Sequence, residues 1–276
     1  MTANTRQRRL AFALAVLLGL LPAGCASPRL QPPVPSPPPP PPPLAWTAAI
    51  GSLVLPDTAW ICTAVLVRSD LILTAAHCLY PTDRTITPGQ LVFQANAGRA
   101  PVFNPSPVLA VQAAGGQVQE GHIVPADVVE DWLVLRIAPV PKSLQPVPIT
   151  PLSLQQVQAR LAAGERFYSA GFGGGAKTTL RQHDKCGPVD PLEVFISVPA
   201  GVTVTDCVIR LGDSGGPMAL IDAAGRPHLF AIISGFGQRA GLPPIAIGAD
   251  ASNFAGAIGG LTISGILPSN TVGRGG

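Results

Sequence analysis

The chain has 276 residues, of which 47% are apolar and 12% are charged, and its formal net charge is +3. This composition is sufficient for a buried core and excludes a charge-rich disordered chain or a coiled coil. The excess positive charge comes from Arg6, Arg8 and Arg9, so the rest of the chain is neutral overall and gives no sign of a nucleic-acid-binding surface.

Residues 1–24 have the features of a signal peptide. The three arginines precede an apolar run at residues 10–21, which is too short to cross a bilayer as a helix and is followed by small residues. We therefore expect an exported, extracytoplasmic protein.

The segment around Cys25 resembles a bacterial lipobox, the sequence that directs attachment of lipid to a cysteine. Ala23 and Gly24 fit that pattern, whereas Pro22 departs from it, and ordinary cleavage after Ala26 is the alternative. The resemblance implies a lipid anchor in the bacterial outer membrane as the protein's membrane contact. The alternative implies a periplasmic or secreted protein.

A proline-rich linker is expected to follow, so that residues 25–43 comprise the lipidation cysteine and a spacer. Residues 37–43 are unbroken proline, which favours an extended polyproline helix that holds a folded body away from a membrane. The chain has five cysteines, so setting Cys25 aside leaves an even number for disulfides in an oxidising compartment.

One folded domain is expected over residues 44–268, followed by a flexible tail at residues 269–276. Short apolar runs alternate with Gly, Pro, Asn and Asp, a pattern typical of an all-β chain. The expected strands are 64–68, 71–73, 91–94, 133–137, 195–198, 202–204, 228–233 and 245–247. Helical spacing occurs at residues 152–161 and, more weakly, at residues 254–261.

Three local strings carry candidate chemistry. They are Thr-Ala-Ala-His-Cys around His77, Asp-Trp-Leu-Val-Leu beginning at Asp131, and Gly-Asp-Ser-Gly-Gly-Pro around Ser214. A serine hydroxyl is a weak nucleophile, so an imidazole must take its proton as it attacks a carbonyl. A carboxylate bonded to the other ring nitrogen fixes the tautomer of that imidazole.

With these strings in the order His, Asp, Ser, the chain resembles the chymotrypsin-like (trypsin-fold) serine peptidases from about residue 50 to residue 265. The resemblance implies an all-β fold of two six-stranded antiparallel β-barrels with a short C-terminal helix. It implies that Ser214 is the nucleophile, His77 the base and Asp131 the orienting acid. It also places the oxyanion hole at the N–H groups of Gly212 and Ser214.

Two neighbouring acids, Glu130 and Asp127, are alternatives to Asp131. We prefer Asp131 because it directly precedes the apolar strand, as in the family. The resemblance further implies a disulfide between Cys62 and Cys78 that would fix the loop of the histidine.

The remaining cysteines, Cys186 and Cys207, would brace the loops before the nucleophile if they pair. Family members commonly have a cysteine four residues before the serine, whereas here Cys207 lies seven residues before Ser214. The base of the specificity pocket is therefore Val208 if positions are counted back without a gap, or Thr205 if Cys207 is aligned.

Neither candidate for the pocket base is acidic, so the Arg/Lys preference of trypsin-like members is not supported, although Asp206 keeps that option open. On the strand after the nucleophile, Ser234 and Gly235 complete the expected substrate-binding residues.

Animal members of the family expose a new Ile-Val-Gly-Gly terminus, which pairs with the aspartate before the nucleophile, here Asp213. The nearest match is Ile50-Gly51, which lacks the second glycine and lies close to Cys62. An enzyme that needs no such cleavage is the other interpretation, and it leaves the partner of Asp213 unidentified.

The prediction is a monomeric serine endopeptidase that cleaves protein or peptide substrates through an acyl-enzyme on Ser214, without metal or cofactor. The alternative is a non-catalytic module of the same fold that binds a partner at the cell envelope. An esterase with the same triad is a third interpretation, but the order His, Asp, Ser is not that of the α/β-hydrolases.

Other features have structural interpretations. Residues 171–178 look like a phosphate-binding loop, but Ala176 replaces the required glycine. His122, His183 and His228 lack zinc-ligand spacing, so structural or surface roles are expected. The tryptophans are expected in the core: Trp46, Trp60 and Trp132.

Overall fold

The computed structural model describes residues 45–80, 86–95, 104–116, 125–174, 178–183, 185–194, 196–237 and 244–260. All of these belong to one compact unit, Pro42–Gly276. The expected signal peptide, the lipidation cysteine, the proline-rich spacer, the C-terminal tail, His122 and Ala176 lie outside the described residues.

The first half of the described chain forms a closed antiparallel barrel of six strands. In chain order these are β1 (Ile50–Val54), β2 (Ile61–Arg68), β3 (Leu71–Thr74), β4 (Val92–Ala95), β5 (Ser106–Ala114) and β6 (Leu133–Ile137). Around the barrel the order is β1-β2-β3-β6-β5-β4. Three 3₁₀ helices, Ala45–Ala49, Ala76–Cys78 and Pro88–Gln90, and the short helix α1 (Pro125–Val128) accompany these strands.

The second half forms a six-stranded antiparallel sheet of order β8-β7-β10-β11-β12-β9. Its strands are β7 (Arg166–Gly171), β8 (Arg181–Gln182), β9 (Val202–Thr205), β10 (Pro217–Ile221), β11 (Pro227–Gly237) and β12 (Ile245–Asp250). An isolated bridge from Pro188 to Thr205 brings the chain that follows edge strand β8 against the other edge strand, β9.

Two helices flank this sheet. Helix α2 (Leu154–Ala162) begins after Ser153, whose hydroxyl accepts the Gln156 N–H while the Gln156 side chain accepts the Ser153 N–H. Helix α3 (Ala251–Gly260) is the expected C-terminal helix and buries Phe254 and Ile258. No helix in the described part of the chain is long and apolar enough to span a membrane.

One apolar core runs through both halves and fixes how they pack. Its buried members include Phe93 of the barrel, Phe172 after β7 and Phe254 of α3. Trp46 and Trp132 are buried as expected, and the Trp46 ring meets Tyr168 of the second sheet at a centroid distance of 4.7 Å. Trp60 packs against the same core and is partly buried.

The fold class expected from the sequence is confirmed: the protein is mostly β, with a closed six-stranded barrel, a second six-stranded sheet and a short C-terminal helix. The strand expected at 195–198 is wrong, since residues 196–198 are not in a strand and residue 195 lies outside the described part. The Ile196 N–H instead donates to the Pro191 carbonyl in a turn, and Pro199 has no N–H for a ladder. The apolar residues there pack against Val128, Val202, Val204 and Ile247.

Candidate active site

His77 and Asp131 meet because of how β3 pairs with β6. The antiparallel register places Thr74, at the end of β3, opposite Leu133, at the start of β6. His77 lies in the 3₁₀ helix three residues after Thr74, and Asp131 lies two residues before Leu133. The chain therefore brings both side chains to one edge of the barrel.

The Asp131 carboxylate is fully buried and holds His77 at two points. One oxygen accepts the His77 backbone N–H over 3.0 Å, and the other lies 2.9 Å from the ring atom Nδ1. Because a carboxylate only accepts hydrogen bonds, Nδ1 must carry a proton. In neutral His77 the atom Nε2 is then unprotonated and can receive a proton, as a base requires.

A third donor reaches Asp131 from the second sheet. The ladder between β11 and β12 shifts register between Ile233 and Gly235, so Ser234 lies at a bulge. Its buried hydroxyl donates to Asp131 Oδ2. The side chain of Ser234, expected to contact substrate, thus supports the acid, whereas Gly235 pairs with Ile247 and is half-buried.

Ser214 follows a tight turn between β9 and β10. The Asp213 N–H donates to the Arg210 carbonyl over 2.9 Å, and Gly212, one residue before Asp213, has φ +102°. These are the features of a type II turn, which needs glycine at that position. The Leu211 carbonyl accepts the Gly174 N–H, so the Gly212 N–H in the same planar peptide points the opposite way.

Four polar groups of the turn and of His77 make no hydrogen bond within the described residues. Neither the N–H of Gly212 nor that of Ser214 donates to an acceptor there, and the Ser214 hydroxyl and His77 Nε2 have no hydrogen-bond partner among those residues. The Ser214 carbonyl lies 3.9 Å from Cys78 Sγ, which places the turn beside the residue that follows His77. Two free N–H groups on one turn are what an oxyanion hole needs.

Thr63 of β2 joins the barrel to this turn. Its N–H donates to the Ser214 carbonyl over 2.8 Å, and its buried hydroxyl donates to the Gly212 carbonyl over 2.8 Å. The same hydroxyl accepts the Phe172 N–H over 2.9 Å. A side chain added at Gly215 would lie 2.1 Å from the Thr63 carbonyl, so glycine is required for this close approach.

Asp213 is fully buried behind the turn and is ringed by donors. The N–H of Gly173 reaches one oxygen over 2.7 Å, and the other oxygen lies 2.7 Å from the Arg210 N–H, 2.5 Å from Arg181 Nη2 and 3.1 Å from His183 Nε2. Burial alone would raise the pKa of Asp213. The hydrogen bond and charge of His183, the Arg210 N–H and the charge of Arg181 outweigh it, and the pKa lies below its usual value.

Both cysteine pairs form disulfides, as expected. Cys62–Cys78 closes a 16-residue separation around the histidine loop, and Cys186–Cys207 closes a 21-residue separation before Ser214. His77 lies close to the first pair, but sulfurs joined in a disulfide are not thiolate ligands for a metal.

The two candidates for the pocket base lie in different environments. Thr205 is fully buried in β9, whereas Val208 is 59% exposed. Asp206, the acidic alternative, is exposed, and its carboxylate accepts the Gly187 N–H over 2.7 Å.

Of the acids considered, the structure brings Asp131 to His77; Glu130 is exposed and Asp127 is half-buried in α1. Sequence reasoning missed the site contributions of Thr63, Arg181 and His183. His183 was expected to be structural or on the surface, and it is buried against Asp213. Their sequence signal was weak, because each partner lies 30 or more residues away along the chain.

A family model described as a trypsin-like peptidase domain matches residues 62–228, which is more than half of the chain and includes the strings around His77, Asp131 and Ser214. No curated protein matches the chain.

Proposed function

The chain belongs to the trypsin-like peptidase family, and we propose that it is a serine endopeptidase that works through an acyl-enzyme on Ser214. Membership of this family implies a protein or peptide substrate. The observation that carries the serine mechanism is the 2.9 Å contact between His77 Nδ1 and the buried Asp131 carboxylate, which leaves Nε2 as the base.

In the first half of the proposed reaction, Ser214 Oγ attacks the carbonyl carbon of the substrate as its proton passes to His77 Nε2. The carbonyl π electrons move to oxygen, and Asp131 stabilises the imidazolium formed. When the tetrahedral intermediate collapses, the C–N bond breaks and the leaving amine takes the proton from Nε2. Water then attacks the carbonyl carbon of the acyl-enzyme as its proton passes to Nε2. The bond between that carbon and Ser214 Oγ breaks, Oγ takes the proton back from Nε2, and the acid is released.

The free N–H groups of Gly212 and Ser214 would stabilise the oxyanion. Removing one such donor lowers kcat by roughly 10²–10³-fold in serine peptidases. The hydrogen bond from the Gly174 N–H to the Leu211 carbonyl supports this role, since it fixes the peptide that carries the Gly212 N–H.

Hydrolysis of an unstructured protein such as reduced casein, with products sequenced by mass spectrometry, tests this proposal. Internal cleavage sites are expected, which distinguishes an endopeptidase from an exopeptidase. Ser214→Ala and His77→Ala should each lower turnover by several orders of magnitude with unchanged circular dichroism. Hydrolysis by both variants at the wild-type rate would contradict the mechanism, and a wild type that stays inactive after limited proteolysis would favour the binding module.

We also propose that the protein is exported and carries lipid on Cys25. The charged and apolar pattern of residues 1–24 supports export, and so do the two disulfides, since such bonds persist in oxidising compartments. Mass spectrometry of the mature N-terminus should find an acylated Cys25. An unmodified N-terminus at Ser27 would instead support the soluble alternative.

A further inference from the structure

The carboxylate of Asp213, the residue before the proposed nucleophile, is satisfied entirely by donors from within the chain. The four donors are the N–H groups of Gly173 and Arg210, the guanidinium of Arg181 and the ring of His183. Three of these donors reach Oδ2 and one reaches Oδ1, and a Cβ at Gly171 would lie only 2.4 Å from Oδ1, so the chain itself closely encloses both oxygens.

This carboxylate holds the turn that carries the free N–H groups. Arg210 donates its N–H to the Asp213 side chain over 2.7 Å, and Asp213 returns its own N–H to the Arg210 carbonyl over 2.9 Å. Gly212 lies between these two residues, so the direction of its N–H depends on both bonds. Displacing the Asp213 side chain would release the turn.

Arg181 and His183 keep the carboxylate in this position. An unpaired carboxylate is costly to bury, and Arg181 supplies the compensating charge at 2.5 Å. The other terminal nitrogen of Arg181, Nη1, lies 3.4 Å from the Val208 carbonyl, which ties the same side chain to the segment before the turn.

The ring of His183 is itself fixed in orientation. Since Asp213 only accepts, Nε2 of His183 carries a proton, and Nδ1 lies 2.9 Å from the Ser169 hydroxyl on β7. The His183 side chain is 1% exposed. The Ser169 hydroxyl thus fixes the orientation of the His183 ring. The Ser234 hydroxyl supports Asp131 in a similar way.

Cleavage before Ile50 would create a new N-terminus, but this residue is not placed to reach Asp213 as the four donors do. Ile50 is fully buried at the start of β1 and pairs with Val65 inside the closed barrel. Ala49, on the other side of the peptide bond that would be cut, is also fully buried.

We propose that Arg181 and His183 are positioning residues that hold the oxyanion turn through Asp213 in the uncleaved chain, so that activity needs no proteolytic activation. The inference rests on the serine peptidase mechanism proposed above. Neither residue touches the reacting atoms; both act through Asp213.

The test measures the rate at which a fluorophosphonate probe labels the purified full chain, with intact-mass spectrometry to confirm that the bond before Ile50 is uncut. Arg181→Ala and His183→Phe, which keeps a ring but removes its N–H donor, should each slow labelling roughly 10- to 100-fold, somewhat less than the loss of a whole oxyanion donor. Arg160→Ala is the matched control. It breaks a 2.8 Å ion pair with Glu165 at a similar side-chain exposure, 25% against 29% for Arg181, and should label at the wild-type rate.

Chemical rescue distinguishes the loss of the Arg181 guanidinium from a general loss of folded structure. Because the Arg181 side chain is 29% exposed, millimolar methylguanidine should restore labelling of Arg181→Ala and leave His183→Phe unchanged. Arg181→Lys, which keeps the charge, should retain more of the rate than Arg181→Ala, and it keeps the test decisive if the alanine variant does not fold. Near-ultraviolet circular dichroism reports folding of each variant.

The outcomes are distinguishable. Wild-type labelling rates in folded Arg181→Ala and His183→Phe would overturn the inference and leave the proposed function intact. An inert uncut chain that becomes reactive after limited proteolysis would do the same. A wild type that reacts neither uncut nor cut would contradict the proposed function, and the inference would fail with it.

Discussion

The hydroxyl of Thr63 makes two buried hydrogen bonds that hold the reactive turn against the rest of the site. It donates to the Gly212 carbonyl and accepts the Phe172 N–H, while the Thr63 backbone holds Ser214. One side chain of the barrel thereby fixes both the turn and the segment after β7.

At this residue we predict that Thr63→Val slows fluorophosphonate labelling at least several-fold and lowers the free energy of unfolding. Valine keeps the shape but leaves a buried carbonyl and a buried N–H unpaired, at a cost of about 1–3 kcal/mol for each group. Thr63→Ser keeps the hydroxyl and should stay close to the wild type in both measurements. Equal labelling rates in the Val and Ser variants would show that the hydroxyl does not position the turn.

The sequence predicts His77, Asp131 and Ser214 because each lies in a string whose residue types suit a chemical role. It does not predict that Arg181 and His183 reach Asp213, although both lie close to residues 171–178, which look like a phosphate-binding loop in the sequence. Their partner lies 30 or more residues away along the chain and is chosen by the packing of β8 against β7. Such contacts leave no local pattern.

Among the structural elements, the end of β7 and the segment after it pack directly against the Asp213 carboxylate. A Cβ at Gly171 would lie 2.4 Å from the Asp213 carboxylate, and one at Gly173 would lie 2.5 Å from it. Gly171 and Gly173, which belong to the string that resembles a phosphate-binding loop in the sequence, therefore accommodate a carboxylate of the protein itself.

We predict that Gly173→Ala displaces Asp213, lowers the free energy of unfolding by about 1–3 kcal/mol and slows labelling of Ser214. Gly187→Ala is the matched control, because a Cβ there meets nothing within 4 Å. Chemical denaturation and labelling of both variants check this. If the two variants had the same stability and reactivity, the close approach would have no energetic role.

The strands differ in how well the sequence predicts them, for physical reasons. β2, β3 and β6 are rich in Leu, Ile and Val and buried along most of their length, so their apolar runs stand out. The sequence does not predict β5 and β7, because Ala, Gln, Ser and Gly interrupt their apolar pattern. The run at 195–198 is also apolar, but its described residues, 196–198, follow a turn and precede Pro199, and they lie outside the sheet.

At the scale of the whole molecule, the site exists only when the barrel and the second sheet are packed together. His77 and Asp131 come from the barrel, Ser214 and Ser234 come from the second half, and hydrogen bonds between the halves join them. Reactivity and global folding should therefore be lost together.

The stability of the molecule should depend on pH through Asp250, at the end of β12. Burial raises the pKa of its carboxyl from 3.8 to about 6, although the hydrogen bond from Thr203 lowers it. The folded state then holds this proton more tightly than the unfolded state. The contribution of Asp250 to the free energy of unfolding therefore falls as pH rises from about 4 to about 6. The full effect is at most about 3 kcal/mol.

We predict that Asp250→Asn removes this dependence, because the amide stays neutral and can still accept from Thr203. The variant should match the wild type near pH 4 and become more stable above pH 6. Denaturant unfolding at a series of pH values measures the difference. A difference that did not change with pH would contradict the raised pKa.

We predict that Ser214 is a nucleophile activated by His77, and mapping the site of a fluorophosphonate adduct tests this prediction. The folded wild-type protein should be labelled, tandem mass spectrometry should place the phosphonate on Ser214 Oγ, and labelling should be lost in His77→Ala. A folded, disulfide-intact protein that takes up no probe before or after limited proteolysis, or that carries the adduct on another residue, would show that Ser214 is not such a nucleophile.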